Sequence, residues 1–514
     1  MAYAFSLSFL APLVLLAVAL VAISRPGKRP GALPDWSEYA AIGALALGAL
    51  GLVQHLAMGA AAAGALLSAN LVSLTLALLV SFIGWVVLRY SRTYLDGEAR
   101  EGAFHGLMLA TLAGVLVFVQ AGNLWVLTAA AIAVGFGLKR LLLFYPERPE
   151  AQRAATKFAL VWHGGDVALI AAGLLFTTAF GTGDLAALAT AATAEGLGLA
   201  GHLAIASIVL AAALKTATFP LHGWLTEVME APTPVSALLH AGIINSGGVI
   251  LIKSAALVQM SPGAMAALVM LGGLTALFGA IVMLTQSAIK TSLAWSTVSQ
   301  MGFMLLQCGL GLWALALLHI LAHSLYKAHA FLSSGGAVAA VAGLRRPGPV
   351  AVPSLGAVFK SFGLALVLYA AIAALFVAVL GPKSAQALAL GAILIFGVAY
   401  LVAQGLADTA PAELTKRTVL ASLAAALAYF TFQAIAAAIW GPGLPPAPVP
   451  GPLEWALILL AVASFGLVAF AQALFPLWAH HPATAGLRIH MANGLYLNAL
   501  LDRAIGGFRT AKIG

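Results

Sequence analysis

The chain alternates between long apolar runs and short polar breaks. A helix that crosses a bilayer needs about 20 mostly apolar residues. Fifteen stretches meet that measure, near 3–23, 39–57, 69–90, 102–120, 122–140, 158–180, 197–218, 232–257, 263–286, 291–311, 313–344, 357–380, 384–404, 418–440 and 453–476. The longest polar interruptions are 89–101, 145–157 and the proline-rich 441–452 (GPGLPPAPVPGP), which reads as a stiff extracytoplasmic connector. None is long enough for a soluble domain. The expected fold is an all-α polytopic membrane protein of about 14–15 transmembrane helices.

Composition agrees with the pattern. Of 514 residues, 62% are hydrophobic and 8% charged, whereas a soluble domain carries roughly 25% charged residues. The single cysteine, Cys308, excludes a disulfide framework, a cysteine-based zinc site and a protein-held iron–sulfur cluster. The 53 glycines suit close helix packing in lipid. A phosphate-binding loop, a nucleophile elbow and a zincin helix are all absent from the sequence.

The formal charge of +9 has its explanation in the loops. Cations follow the odd-numbered stretches: Arg25, Lys28 and Arg29; Arg92 and Arg100; Arg148, Arg153 and Lys157; Lys290; Arg345 and Arg346; Lys416 and Arg417; and the tail Arg488, Arg503, Arg509 and Lys512. Loops after even-numbered stretches are nearly bare, Lys383 excepted. By the positive-inside rule this alternation expects an outside N-terminus and a cytoplasmic C-terminus. The basic excess therefore reports topology in a lipid bilayer and calls for no nucleic-acid partner. The first stretch is expected to be a retained helix, because residues 1–10 hold no Lys or Arg while Arg25, Lys28 and Arg29 follow the apolar run.

Ionisable groups inside apolar spans are costly, roughly 2.5–3.5 kcal/mol each on insertion scales, and are functional candidates for that reason. Lys215 lies in ALKTATFPLHGWLTEVMEAPTP, where Pro220 removes a backbone donor and predicts a broken helix. Broken helices line ion sites in transporters; a lysine reaching to the interface is the structural alternative. His319, His323 and Lys327 recur every four residues (HILAHSLYK) and share one helix face, a candidate proton relay. His240, after PTPVSALL, either links the two lysine sites or makes a packing hydrogen bond. His163 and Asp166, at i and i+3, are expected to pair. Lys253 is expected to reach to the outer interface, and Glu230 is a counter-ion candidate for Lys215 should the broken helix fold it back. His319 and His323 could also bind a metal, but no inward carboxylate or thiolate completes such a site. No catalytic residue, metal site or cofactor is assigned to this chain.

LKTATFPLHGWLTEVMEAPTPVSALLHAG, AIKTSLAWSTVSQMGFM and HILAHSLYKAHAFLSSGG resemble the antiporter-like subunits of complex I and of multisubunit cation/proton antiporters. The resemblance implies ion-carrying roles for Lys215, His240, His319, His323 and Lys327. It also marks two departures. Ile132, in NLWVLTAAAIAVGFG, stands where the family has the glutamate paired with its broken-helix lysine, and His163, in WHGGD, stands where it has an arginine. The chain leaves no length for the lateral arm of the large complex I subunits. With PERPEAQRAATKF and the ending HMANGLYLNALLDR it is similar to the membrane subunits of DAB-type inorganic-carbon accumulation systems.

That resemblance implies a DabA-like partner, a large carbonic-anhydrase-like subunit that holds zinc. The assembly would couple a cation, H+ or Na+, with lysine and histidine better suited to H+, to CO2 hydration and bicarbonate accumulation at a bacterial inner membrane. The same residues imply a division into N-terminal helices (1–120), an ion-translocating core (121–450), and a last helix with an amphipathic segment (451–514), of which 487–506 is the expected partner contact. Three other readings stay open: a proton-pumping subunit of a complex I-type NADH–quinone oxidoreductase, a multisubunit Na+/H+ antiporter subunit, and a scaffold with a decayed ion path.

Overall fold

A computed structural model describes residues 5–59, 62–63, 66–336, 354–405, 412–474, 478 and 481–505. After a 3-10 turn at Leu7–Leu10, the first six helices are α1 (Ala11–Ser24), α2 (Leu33–Met58), α3 (Leu71–Tyr94), α4 (Glu101–Gln120), α5 (Leu124–Leu142) and α6 (Pro149–Phe180). The short α7 (Leu185–Glu195) precedes α8 (Gly198–Lys215), and α9 (Gly223–Thr226), α10 (Thr233–Ala241), α11 (Ser246–Lys253) and α12 (Ala255–Val258) follow as short pieces. Then come α13 (Pro262–Met283), α14 (Ile289–Gly309), α15 (Trp313–Ser333), α16 (Leu355–Leu380), α17 (Ala385–Gly405), α18 (Ala412–Trp440) and α19 (Pro452–Ala473). Two short helices, α20 (Ala485–Ala492) and α21 (Leu497–Ala504), close the described chain.

Thirteen of these helical stretches are long and apolar enough to cross a membrane. With α14 and α17, each 21 residues long, the order matches the fifteen apolar runs of the sequence. Sequence signals mark many ends. Asn70 and Asn123 accept backbone N–H groups at the starts of α3 and α5. Prolines open α6, α13 and α19. One boundary moves: the polar stretch 145–157 is a loop only to Arg148, because Pro149 starts α6 and carries Lys157 into the membrane-facing bundle. A small antiparallel pairing joins Ala62–Ala63 with Ser68–Ala69. The expected end of the eleventh span near 344 and the cations Arg345, Arg346, Arg509 and Lys512 lie outside the described residues.

One continuous apolar core joins α1 to α15, and smaller clusters hold α16 to α19 together. Lipid-facing side chains such as Leu20, Leu210, Val367 and Leu467 are more than half exposed, as suits helices whose solvent on that face is hydrocarbon. The α10–α11 stretch is instead buried almost end to end. The hairpin of α13 and α14 packs backbone to backbone. A Cβ on Gly272 would stand 2.5 Å from the Leu306 nitrogen and 2.7 Å from the Gly302 oxygen, so alanine there would push apart the helix that faces the relay.

Candidate functional site

The first site forms where α8 stops. Its last residue is Lys215, and Ala217 takes a positive φ of 51° before Pro220. The freed backbone is satisfied locally: the Thr218 N–H and hydroxyl both donate to the Ala213 carbonyl, and the Phe219 N–H donates to Thr275. Lys215 is wholly buried. Its Nζ lies 2.6 Å from Asp166 Oδ1 and 3.3 Å from the Trp162 carbonyl, with the Trp162 ring centroid 4.0 Å away. Asp166 Oδ2 in turn meets His163 Nδ1 at 2.7 Å. Gly165, whose Cβ would fall 3.2 Å from the Lys215 stem, gives that side chain its room on α6. The carboxylate expected on α5, where Ile132 stands, comes from the neighbouring helix instead.

The second site runs along α15, antiparallel to α14. His319, His323 and Lys327 of α15 all face α14: His319 Nδ1 lies 2.9 Å from Gln307 Oε1, and His323 Nδ1 lies 2.6 Å from Gln300 Oε1. Lys327 Nζ donates to the Leu293 carbonyl at 3.0 Å and to the Ser296 hydroxyl. The His319 and His323 rings are 6.0 Å apart. His323 Nε2 also lies 3.0 Å from the backbone oxygen of His240. A carbonyl only accepts, so Nε2 must donate. Nδ1 then meets the Gln300 side-chain oxygen only as a second donor, which makes the ring an imidazolium. With the Gln300 amide turned, its N–H donates to a neutral ring. Gln300 therefore fits both states of the ring by turning one bond.

His240 ties the relay to α10. Its Nδ1 lies 3.1 Å from the Thr297 hydroxyl, and its ring stacks on Phe331 at 4.3 Å. Its Nε2 is buried without a partner among the described residues. The chain breaks again just beyond, at Ile243–Asn245 between α10 and α11, where Asn245 donates to Ser324 beside His323. A small cavity of about 30 Å³ adjoins Asn245, Ser246 and Ser324, room for a water on the usual measure.

One expectation is corrected. Glu230 does not fold back to Lys215. The pieces around it turn along the mouth of the bundle, and it pairs at 3.3 Å with Arg148, both side chains over 40% exposed. Lys253, the last residue of α11, stands at the level of the helix ends, where its Nζ donates to the Val119 carbonyl at 2.9 Å and to Ser73 at 3.2 Å. The segment 487–506 folds onto the chain's own body through Residue 505: Gln286 donates to the Ala492 carbonyl, and Lys157 meets Asp502; residue 506 lies outside the described residues.

Sequence reasoning missed the α14 partners Ser296, Thr297, Gln300 and Gln307. The signal was present as polar residues four and seven apart within an apolar run. It also counted Lys157 as a loop cation, although the side chain is wholly buried. Among the described residues no group of three His, Cys, Asp or Glu side chains gathers as metal ligands would.

The family described as NADH:quinone oxidoreductase/Mrp antiporter, TM, matches residues 121–346. A probable inorganic carbon transporter subunit DabB2 of Halothiobacillus neapolitanus is 36% identical over 502 residues, 93% of this chain and 89% of that protein. NADH-quinone oxidoreductase subunit L of Mycobacterium tuberculosis is 34% identical over 405 residues, 76% of this chain and 61% of that one. Among solved structures, a chain of the Mrp complex from Dietzia sp. DQ12-45-1b superposes with a TM-score of 0.63 at 23% identity, over 98% of this chain and 60% of that chain, a likeness of fold.

Proposed function

The chain belongs to the DabB family of inorganic-carbon transporter subunits, within the wider antiporter-like group, and from that membership we propose that it is the H+-conducting, energy-coupling membrane subunit of a two-subunit complex that accumulates bicarbonate. Its partner in this reading is a large DabA-like subunit that holds zinc as carbonic anhydrases do and hydrates CO2. The membrane is the bacterial inner membrane, with the N-terminus outside and the side of the basic loops in the cytoplasm.

The observation that carries the ion path is the pair of wholly buried lysines, Lys215 and Lys327, each in a polar seam within an apolar bundle. Protons would move along His319, His323 and Lys327. Gln300 on one side and the His240 backbone on the other hold the His323 ring in place and support its charged form, in which both ring nitrogens donate. His240 and the Lys215–Asp166–His163 group would complete or bias the path. The coupling is electrostatic: a proton gained at one site changes the charge felt at the next, and charges in so dry an interior are weakly screened. A change in helix position then reaches the partner.

The test is to replace Lys327 by Ala in cells that depend on bicarbonate uptake. Uptake is expected to fall to background with the complex still assembled; full uptake would favour a scaffold and end the relay. A second reading, a proton-pumping subunit of an NADH–quinone oxidoreductase, draws on the 34% identity to subunit L. Gentle purification with a zinc assay separates the two. A single large zinc protein in the eluate supports the first, and flavin or iron–sulfur subunits support the second.

A further inference from the structure

Lys157 is as deeply buried as the two path lysines, yet it belongs to neither site. Its Nζ lies 2.5 Å from Glu227 Oε2, 2.6 Å from Asp502 Oδ1 and 2.7 Å from Asn498 Oδ1. The ammonium donates to Glu227 and Asn498, while Asp502 Oδ1 stands beside it as an ion pair and is buried with no hydrogen-bond partner among the described residues. The Asn498 amide also donates to Glu227. Two carboxylates around one ammonium leave a net charge of −1 in a largely enclosed place, since the Asp502 side chain is only 10% exposed. Unbalanced buried charge is expensive, and a proton shared by the two carboxylates removes it.

We infer that Lys157, Glu227, Asn498 and Asp502 form a proton-holding site at the mouth of the bundle, through which the Lys215–Asp166–His163 group exchanges protons with the water on that side. The inference deepens the proposed proton path and rests on it. Glu227, 28% exposed, is the member that meets water. The facing groups are Lys157 from α6, Glu227 and the preceding His222 from the α9 stretch, and Asp502 with Asn498 from α21. Arg503 of α21 is exposed, and the nearby Arg148–Glu230 pair cancels its own charge.

The way inward follows α6. His163 and Asp166 stand six and nine residues beyond Lys157, roughly 9–14 Å along the axis at 1.5 Å per residue. Phe158, Trp162 and Trp224 fill the interval. The Phe158 ring lies 5.3 Å from each tryptophan, and the two tryptophans are 6.5 Å apart. The layer is not wholly apolar. Trp224 Nε1 is buried without a hydrogen-bond partner among the described residues, on the stretch that carries Glu227, and such a group is what internal water ordinarily satisfies. On the far side of the layer, Lys215 donates to the Trp162 carbonyl. A Cβ on Gly223 would collide with the Asn498 side chain, so α21 sits directly on α9. The C-terminal helix thus supplies two of the four members, and the site exists only while that helix is docked.

The test uses the full chain, purified with its co-purifying partner and reconstituted in lipid vesicles. Infrared pH-difference spectra read protonated carboxyl groups directly. One carboxyl band is expected to persist in Asp166→Asn, to vanish in both Glu227→Gln and Asp502→Asn, and to return in Asp502→Glu. Its survival in either neutral variant overturns the inference. In the same vesicles Glu227→Gln is expected to slow proton flux about tenfold or more. If Lys327→Ala stops the flux while Glu227→Gln leaves it at the original rate, this site is refuted and the path stands. If Lys327→Ala leaves the flux intact, the path itself fails, whatever the spectra show.

Discussion

Lys215 and Lys327 are buried to the same degree but held by opposite chemistry. Lys215 faces a carboxylate, Asp166, itself braced by His163, and lies over the Trp162 ring. Lys327 meets a backbone carbonyl and a serine hydroxyl, with no carboxylate paired to it among the described residues. Only at Lys215 does a fixed negative charge stand against the ammonium. The first site is therefore an ion pair that sets a local field while it stands and passes on a proton only when it opens. The second carries its charge with neutral support only, and so is the one suited to gaining and losing a proton. Two lysines in one bundle can thus divide the work between bias and carriage.

The largest expected effect is at the unpaired lysine. Lys327→Ala should reduce coupled bicarbonate uptake by roughly a hundredfold or more, the scale of a lost proton-transfer group, with unchanged amounts of complex on a native gel. Next comes the ion pair. Asp166→Asn leaves Lys215 with no opposing charge, and breaking a buried pair costs about 3–5 kcal/mol. Its melting temperature in detergent should fall accordingly. Asp166→Asn combined with Lys215→Met should recover much of that stability without recovering uptake, and a double-mutant cycle gives the coupling. Independent, additive losses would show that the pair is not the unit described here.

Smaller effects sharpen the relay. Gln300→Leu removes the side-chain partner of His323 and should cost about 1–3 kcal/mol at that site, read as slower uptake with normal assembly. Gln300→Glu, which keeps an acceptor, should slow it less. Smallest of all is Glu230→Ala, which breaks an exposed pair with Arg148 worth about 1 kcal/mol at most; uptake and melting temperature should both stay close to their starting values.

The helices were legible because lipid demands about 20 apolar residues per crossing, whatever the packing. The alignment of His319, His323 and Lys327 on α15 was legible because a spacing of four fixes one face of one helix. What escaped the sequence were relations between helices. The Asp166–His163 pairing is local and could be read from i and i+3, whereas Asp166–Lys215 depends on how α6 packs against α8. Gln300 and Gln307 meet the histidines through the packing of α14 against α15, which no spacing within one helix shows. Lys157 looked like a loop cation until Pro149 was seen to start α6 and α21 to cover its side chain.

The division between a biasing and a carrying lysine is tested most directly by proton movement in vesicles that hold the purified complex and an internal pH dye, with CO2 and bicarbonate supplied outside. The account predicts that the original protein moves protons, that Lys327→Ala stops the movement, and that Asp166→Asn retains a slow component because it alters the field and leaves the carrier in place. Proton movement at the original rate in Lys327→Ala would contradict it.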